Sequence, residues 1–158
     1  MKSKTITLGL GLCFVAAIVA AASIPQGSPH IGTWKLNETK TKTPAGAPKN
    51  HTVVYEAAGD NIKITVDGVD RDGKPVHHEW TGKFDGKDYP VTGDPTSDTR
   101  SYKMIDERTV EFTSKKDGKA TLTGRVMVSA DGKTRTVTTS SMDAQGKKME
   151  ATAIYDKQ

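Results

Sequence analysis

Cysteine is almost missing from this chain: the single one of its 158 residues, Cys13, lies inside an apolar N-terminal run. The remainder therefore has no thiol for a disulfide, a soft-metal site or a nucleophile. Aromatic residues are scarce as well, at 6%, and only 34% of the chain is hydrophobic, with a disproportionate part of that in the first 22 residues. Beyond Pro29 no long apolar stripe recurs with a 3.6-residue period, which excludes a helical bundle and any glycine loop that would cradle phosphate at the start of a helix. Charge of one sign is missing too. Setting aside Lys2 and Lys4 from the 23 basic residues leaves 21, against 19 acidic ones. The basic residues are scattered and usually sit beside Asp or Glu, so no nucleic-acid-binding face is expected.

What is present begins with an address. Lys2 and Lys4 precede an uncharged run from Ile6 to Ala22, and Ala20-Ala21-Ala22 offers the small side chains that a signal peptidase reads. Residues 1–22 are therefore expected to be a secretory signal, 23–30 a short linker and 31–158 one domain, secreted or periplasmic, with no stable membrane insertion after cleavage. A retained membrane anchor is the alternative, although the run is slightly shorter than the roughly 20 residues that span a bilayer. Leu12 before Cys13, with the apolar stretch continuing behind it, does not fit a lipid-attachment site.

Period-two alternation then takes over, as in Ile62, Ile64 and Val66 separated by Lys63 and Thr65. It predicts ten strands, near 31–37, 51–57, 61–69, 75–84, 87–92, 100–105, 109–115, 119–129, 134–142 and 147–156. One turn recurs between them: Arg71-Asp72-Gly73-Lys74, Phe84-Asp85-Gly86-Lys87, Lys116-Asp117-Gly118-Lys119, Ala130-Asp131-Gly132-Lys133 and Ala144-Gln145-Gly146-Lys147. In each the polar residue accommodates a tight bend and the glycine takes a positive φ. Successive hairpins give an antiparallel up-and-down meander, and closing it into a barrel or flattened barrel hides its edges. The stretch 38–50, rich in Thr, Lys, Pro and Ala, reads as a surface loop.

Gly32-Thr33-Trp34-Lys35-Leu36 resembles the Gly-x-Trp opening of lipocalins and fatty-acid-binding proteins, and Ala153-Ile154-Tyr155-Asp156-Lys157-Gln158 is similar to the last strand of the latter. Over the mature region the chain also resembles secreted bacterial lipocalin-like proteins of uncharacterised function. The resemblance implies an all-β calycin-type barrel in which Trp34 closes the base under a basic side chain, Arg125 or Arg135. Two departures separate it from the fatty-acid binders. Residues 38–50 hold two prolines and no helical stripe, so no helical lid is expected, and the arginine that those proteins place two residues before the terminal tyrosine is Ala153 here.

Catalytic and metal motifs give less. Gly68 to Glu79 imitates an EF-hand loop by spacing, yet starts with glycine and lies between strands, where an ordinary hairpin turn is expected instead of a calcium site. His77 and His78 are neighbours on a strand and point to opposite faces, so they cannot chelate one metal together. No Gly-x-Ser-x-Gly or Ser-x-x-Lys occurs. Asn37-Glu38-Thr39 and Asn50-His51-Thr52 fit a glycosylation acceptor and matter only in a host that glycosylates. These readings predict no catalytic residues, no metal and no cofactor. Face parity selects His78, Trp80, Phe84, Arg135 and Tyr155 as walls of an interior that binds a small apolar or amphipathic molecule outside the cytoplasm. The alternative is an interaction module of the envelope or secreted fraction with no internal ligand, its protein partner unknown. A third reading, hydrolysis or isomerisation, requires His78 within hydrogen-bond reach of a carboxylate.

Overall fold

The computed structural model describes residues 27–143 and 145–158, so the segment expected to be a signal, 1–22, lies outside the described residues. Ten strands follow one another: β1 (Gly32–Leu36), β2 (Lys49–Ala58), β3 (Asn61–Val69), β4 (Pro75–Gly82), β5 (Asp85–Thr92), β6 (Thr99–Asp106), β7 (Thr109–Lys116), β8 (Lys119–Val128), β9 (Thr134–Met142) and β10 (Lys148–Lys157). Each pairs antiparallel with the next, and β1 pairs with β10 as well as β2, giving the closed ten-strand barrel that the alternation predicts. Closure leaves no sheet edge along most of the wall.

The recurring turns explain the meander. Gly73, Gly118, Gly132 and Gly146 all have φ between 70° and 77°, the left-handed region that a side chain makes costly. The chain is further held by the polar residue just ahead of two of these motifs: Asp70 Oδ1 accepts the N–H groups of Asp72 and Lys74, and Asp143 Oδ1 those of Gln145 and Lys147. This arrangement also makes the EF-hand imitation at 68–79 a hairpin turn, with the Asp70 carboxylate occupied by its own backbone.

One turn differs from the sequence pattern. Asp85 and Gly86 already belong to β5, where the register with β6 shifts between Asp85 and Asp88. The bend falls at Lys83 and Phe84 because the Phe84 ring is drawn into the core, where it is 2% exposed. The 38–50 loop is also shorter than its composition suggests: Lys49 and Asn50 open β2, and Lys42 bridges to Thr152 on the stretch of β10 that the five-residue β1 does not reach.

Strand ends define two rims. At the base lie the segment before β1 and the turns after β2, β4, β6 and β8; at the mouth lie the 37–48 loop and the turns after β3, β5, β7 and β9. The base-side interior is solid. Trp80 and Tyr102 have ring centroids 4.7 Å apart, Phe84 and Tyr102 5.3 Å, and Tyr102 and Phe112 5.6 Å. Trp34, Ile64 and Val110 complete a core in which each of these residues is 0–1% exposed. At about 25 cal/mol per Å2 of apolar surface, rings of this size dominate the stability of so hydrophobe-poor a chain.

Candidate functional site

Cross-strand register sets the interior into rows. Reading from mouth to base, β8, β9 and β10 contribute Leu122–Ser141–Met149, then Gly124–Thr139–Ala151, then Val126–Val137–Ala153, then Val128–Arg135–Tyr155. The first three rows consist largely of small or short side chains, and Leu122, Val137, Thr139, Ser141, Ala151 and Ala153 are only half-buried although they face inward. Gly124 is required by its neighbour: a Cβ there would lie 2.5 Å from the Phe112 ring, which leans across the strand. Leu36, the last inward residue of β1, also lines a hollow of about 320 Å3 beside residues 41–46.

The predicted wall residues His78, Trp80, Arg135 and Tyr155 all lie on inward rows, and Phe84 turns inward just past β4. They do not converge. Trp80 and Phe84 belong to the aromatic base, and the Trp80 indole N–H donates to Arg100 O at 2.8 Å. Arg135 and Tyr155 form the lowest row of the opposite wall. His78 stands nearer the mouth, opposite Val66, with its Nε2 buried and without a partner among the described residues. Burial, followed by the Arg100 charge, holds the His78 imidazole below its ordinary pKa. No carboxylate lies within hydrogen-bond reach of His78 among the described residues, and the acid–base pairing required for hydrolysis or isomerisation is missing there.

Of the two arginines considered for the base, Arg135 occupies it. Its guanidinium carbon lies 5.2, 5.0 and 4.7 Å from the ring centroids of Trp34, Tyr55 and Tyr155. Arg125 points outward and pairs with Glu111. With these, β7 to β10 form a shallow hollow of about 540 Å3, rich in threonine, whose lining also takes in Phe112, Gly124, Thr139 and Ala151.

Three further groups near the interior lie outside the set that face parity selects above. His30, in the expected linker, is 0% exposed between the Tyr55 and Phe84 rings and places its carbonyl 3.0 Å from the Trp34 indole nitrogen. Burial, then the Arg135 charge, lowers its pKa to about 4, with Asp106 opposing and Lys157 adding. Arg100 alternates with Tyr102 and Met104 and was legible from the same parity that selects Trp80. Its Nε donates to Ser114 at 2.7 Å and its Nη2 to Asp94 at 3.0 Å. Asp94 accepts from Ser97 and Thr96 too, and despite burial these donors, with the Arg100 charge, bring its carboxyl below the usual range.

No protein-family model and no curated protein matches the sequence. The fold has a solved counterpart. A structure of EF1p2_mFAP2b bound to DFHBI is similar over 87% of this chain and 100% of that one, with a TM-score of 0.50 and 11% identity. The likeness is one of barrel architecture.

Proposed function

We propose that this chain is a non-enzymatic, extracytoplasmic, lipocalin-like binder of a small, partly apolar molecule, held in the mouth-side half of the barrel. The observation carrying this reading is the unequal filling of the interior: aromatic rings pack the base and reach up β6 and β7 to Phe112, whereas the mouthward part of the β8–β10 wall presents mostly short, half-buried side chains. A barrel evolved only for stability gains by filling such positions with larger apolar groups. The lipocalin-like opening at Gly32 to Leu36 supports the reading, as does the barrel counterpart that binds DFHBI. The address rests on the lysine-led apolar run and the alanines at 20–22.

Native mass spectrometry of the chain purified from its own host's secreted fraction tests both parts. A ligand-sized excess that disappears on denaturation is the expected result. A bare monomer of mature mass would count against a carrier, and a co-purifying protein would favour the interaction module.

A further inference from the structure

We infer that residues 27–31 are an acid-released plug: protonating His30 expels the segment from the base of the barrel while the ten strands stay paired. The inference is independent of the ligand-binding reading and adds a pH-governed opening at the end of the barrel opposite the mouth.

The plug enters the barrel without joining its sheet. Gly27 to Ile31 precede β1, and within them the Ile31 N–H donates to Ser28 O at 3.1 Å in a turn of their own. That turn carries His30 to 0% exposure and also buries Ser28. Among the described residues, two side chains of the barrel hold its carbonyls: the Trp34 indole N–H donates to His30 O at 3.0 Å, and Lys157 Nζ to Pro29 O at 3.3 Å. Lys157 reaches Pro29 across Gly32, where a Cβ would lie 2.8 Å from the lysine Cε.

The His30 ring is held by packing alone. Neither of its nitrogens has a partner among the described residues, and its neighbours are the Tyr55 and Phe84 rings. The surroundings oppose a second cation. Arg135 on β9 lies over the Trp34 and Tyr55 rings, and Lys157 on β10 lies over Trp34. After burial itself, these two charges keep the imidazole neutral; Asp106 at the end of β6 acts in the other sense, and the Tyr55 phenol on β2, pushed up by burial, carries no charge. An imidazolium in this place would have no acceptor and would stand beside a buried guanidinium, whereas outside the barrel water solvates it. Arginine does not give up its proton, so His30 is the group that moves. The ordinary pKa of 6.5 against about 4 in place favours the outward position by up to about 300-fold more in acid than at neutral pH. The same proton favours global unfolding, but the plug leaves at the loss of two barrel hydrogen bonds and no strand pairing, so it leaves first.

The two indole N–H groups report on the two events separately, since Trp34 donates to His30 O and Trp80 to Arg100 O at 2.8 Å. Their hydrogen exchange in the mature chain, followed by NMR from pH 7 to pH 4 and divided at each pH by the rate in free tryptophan, gives two opening constants. The Trp34 constant is expected to rise by about 100-fold and to exceed the Trp80 constant throughout by at least about tenfold. His30→Phe fills the same place without titrating and should hold the Trp34 constant within about threefold across the range. Should His30→Phe fail to fold, Arg135→Met lets the imidazole take its proton in place and should cut the rise to less than about 50-fold. Equal constants for the two indoles would mean that His30 leaves only with the whole fold. A Trp34 constant that ignores pH, or a full rise in either variant, would mean that the imidazole does not drive the release. Each of these results overturns the inference.

Discussion

The base and the mouth of this barrel are made from the same strands in the same register, yet they are built to opposite standards. At the base most inward positions carry a bulky or ring-bearing side chain, Gly82 giving way to the Trp80 and Tyr89 rings, and even His30, two residues ahead of the first strand, is pressed between Tyr55 and Phe84. Toward the mouth, inward positions four to six residues from Val128, Arg135 and Tyr155 carry Gly124, Thr139, Ala151 and Ser141, with Leu122 and Met149 at the rim. A chain so poor in apolar residues could have distributed them evenly. Concentrating them at one end secures the fold there and leaves the other end free to follow a different requirement, as binding sites commonly do at some cost in stability.

The largest effect that tests this division is Trp80→Ala, which opens a void among Tyr102, Phe84 and Tyr89; a loss of about 3–5 kcal/mol in denaturant unfolding is expected. A loss below about 1 kcal/mol would mean the base is not where stability resides. The second effect is in pH. His30 has a folded pKa of about 4 against its ordinary value of 6.5, so the unfolded chain binds the extra proton first as pH falls. Stability from this group is complete above pH 6.5 and is lost progressively down to about pH 4, amounting to about 3 kcal/mol. Unfolding curves across that window should show the slope, His30→Phe should flatten it, and Arg135→Met should move its lower end upward.

On the mouth-side wall one position is already filled from across the strand: Gly124→Ala drives a methyl group into the Phe112 ring and the Thr138 carbonyl, and should cost about 1–3 kcal/mol by overpacking. At the other small residues of that wall the effect should vanish or change sign. Thr139→Leu is expected to alter stability by less than about 1 kcal/mol in either direction while reducing ligand uptake. A loss as large as that of Trp80→Ala would erase the distinction between the two ends.

Much of the division was legible in the residue pattern, and its limits have physical causes. Strict alternation assigns Trp80, Arg135 and Tyr155 to the interior because one missed residue would turn a whole strand inside out. It says nothing of depth along the axis, so it groups His78, Trp80, Phe84, Arg135 and Tyr155, which lie on two walls and at different levels. Depth comes from pairing between strands: Val128–Arg135–Tyr155 becomes a row only when three strands are registered. His30 escaped because it precedes the first strand and belongs to no alternation. Its burial depends on Phe84 and Tyr55, on other strands, and on the Trp34 indole four residues ahead on β1. Phe84 was correctly turned inward, but Asp85-Gly86 was placed in a turn because a β-bulge and a tight hairpin favour the same pair of residues.

The five-residue β1 has a further consequence, in time. Nine of the ten pairings around the barrel join neighbours along the chain and can form as soon as each hairpin closes. The tenth, β1 with β10, joins residues such as Asn37 and Asp156, which are 119 positions apart and share a 2.7 Å hydrogen bond. Loop-closure entropy defers such a contact until the intervening hairpins have formed. The seam beside Trp34 is therefore expected to be the last part of the wall to close and the first to open. Asn37→Ala should accelerate unfolding while leaving the folding rate nearly unchanged, and an equal slowing of folding would instead place the seam in the transition state.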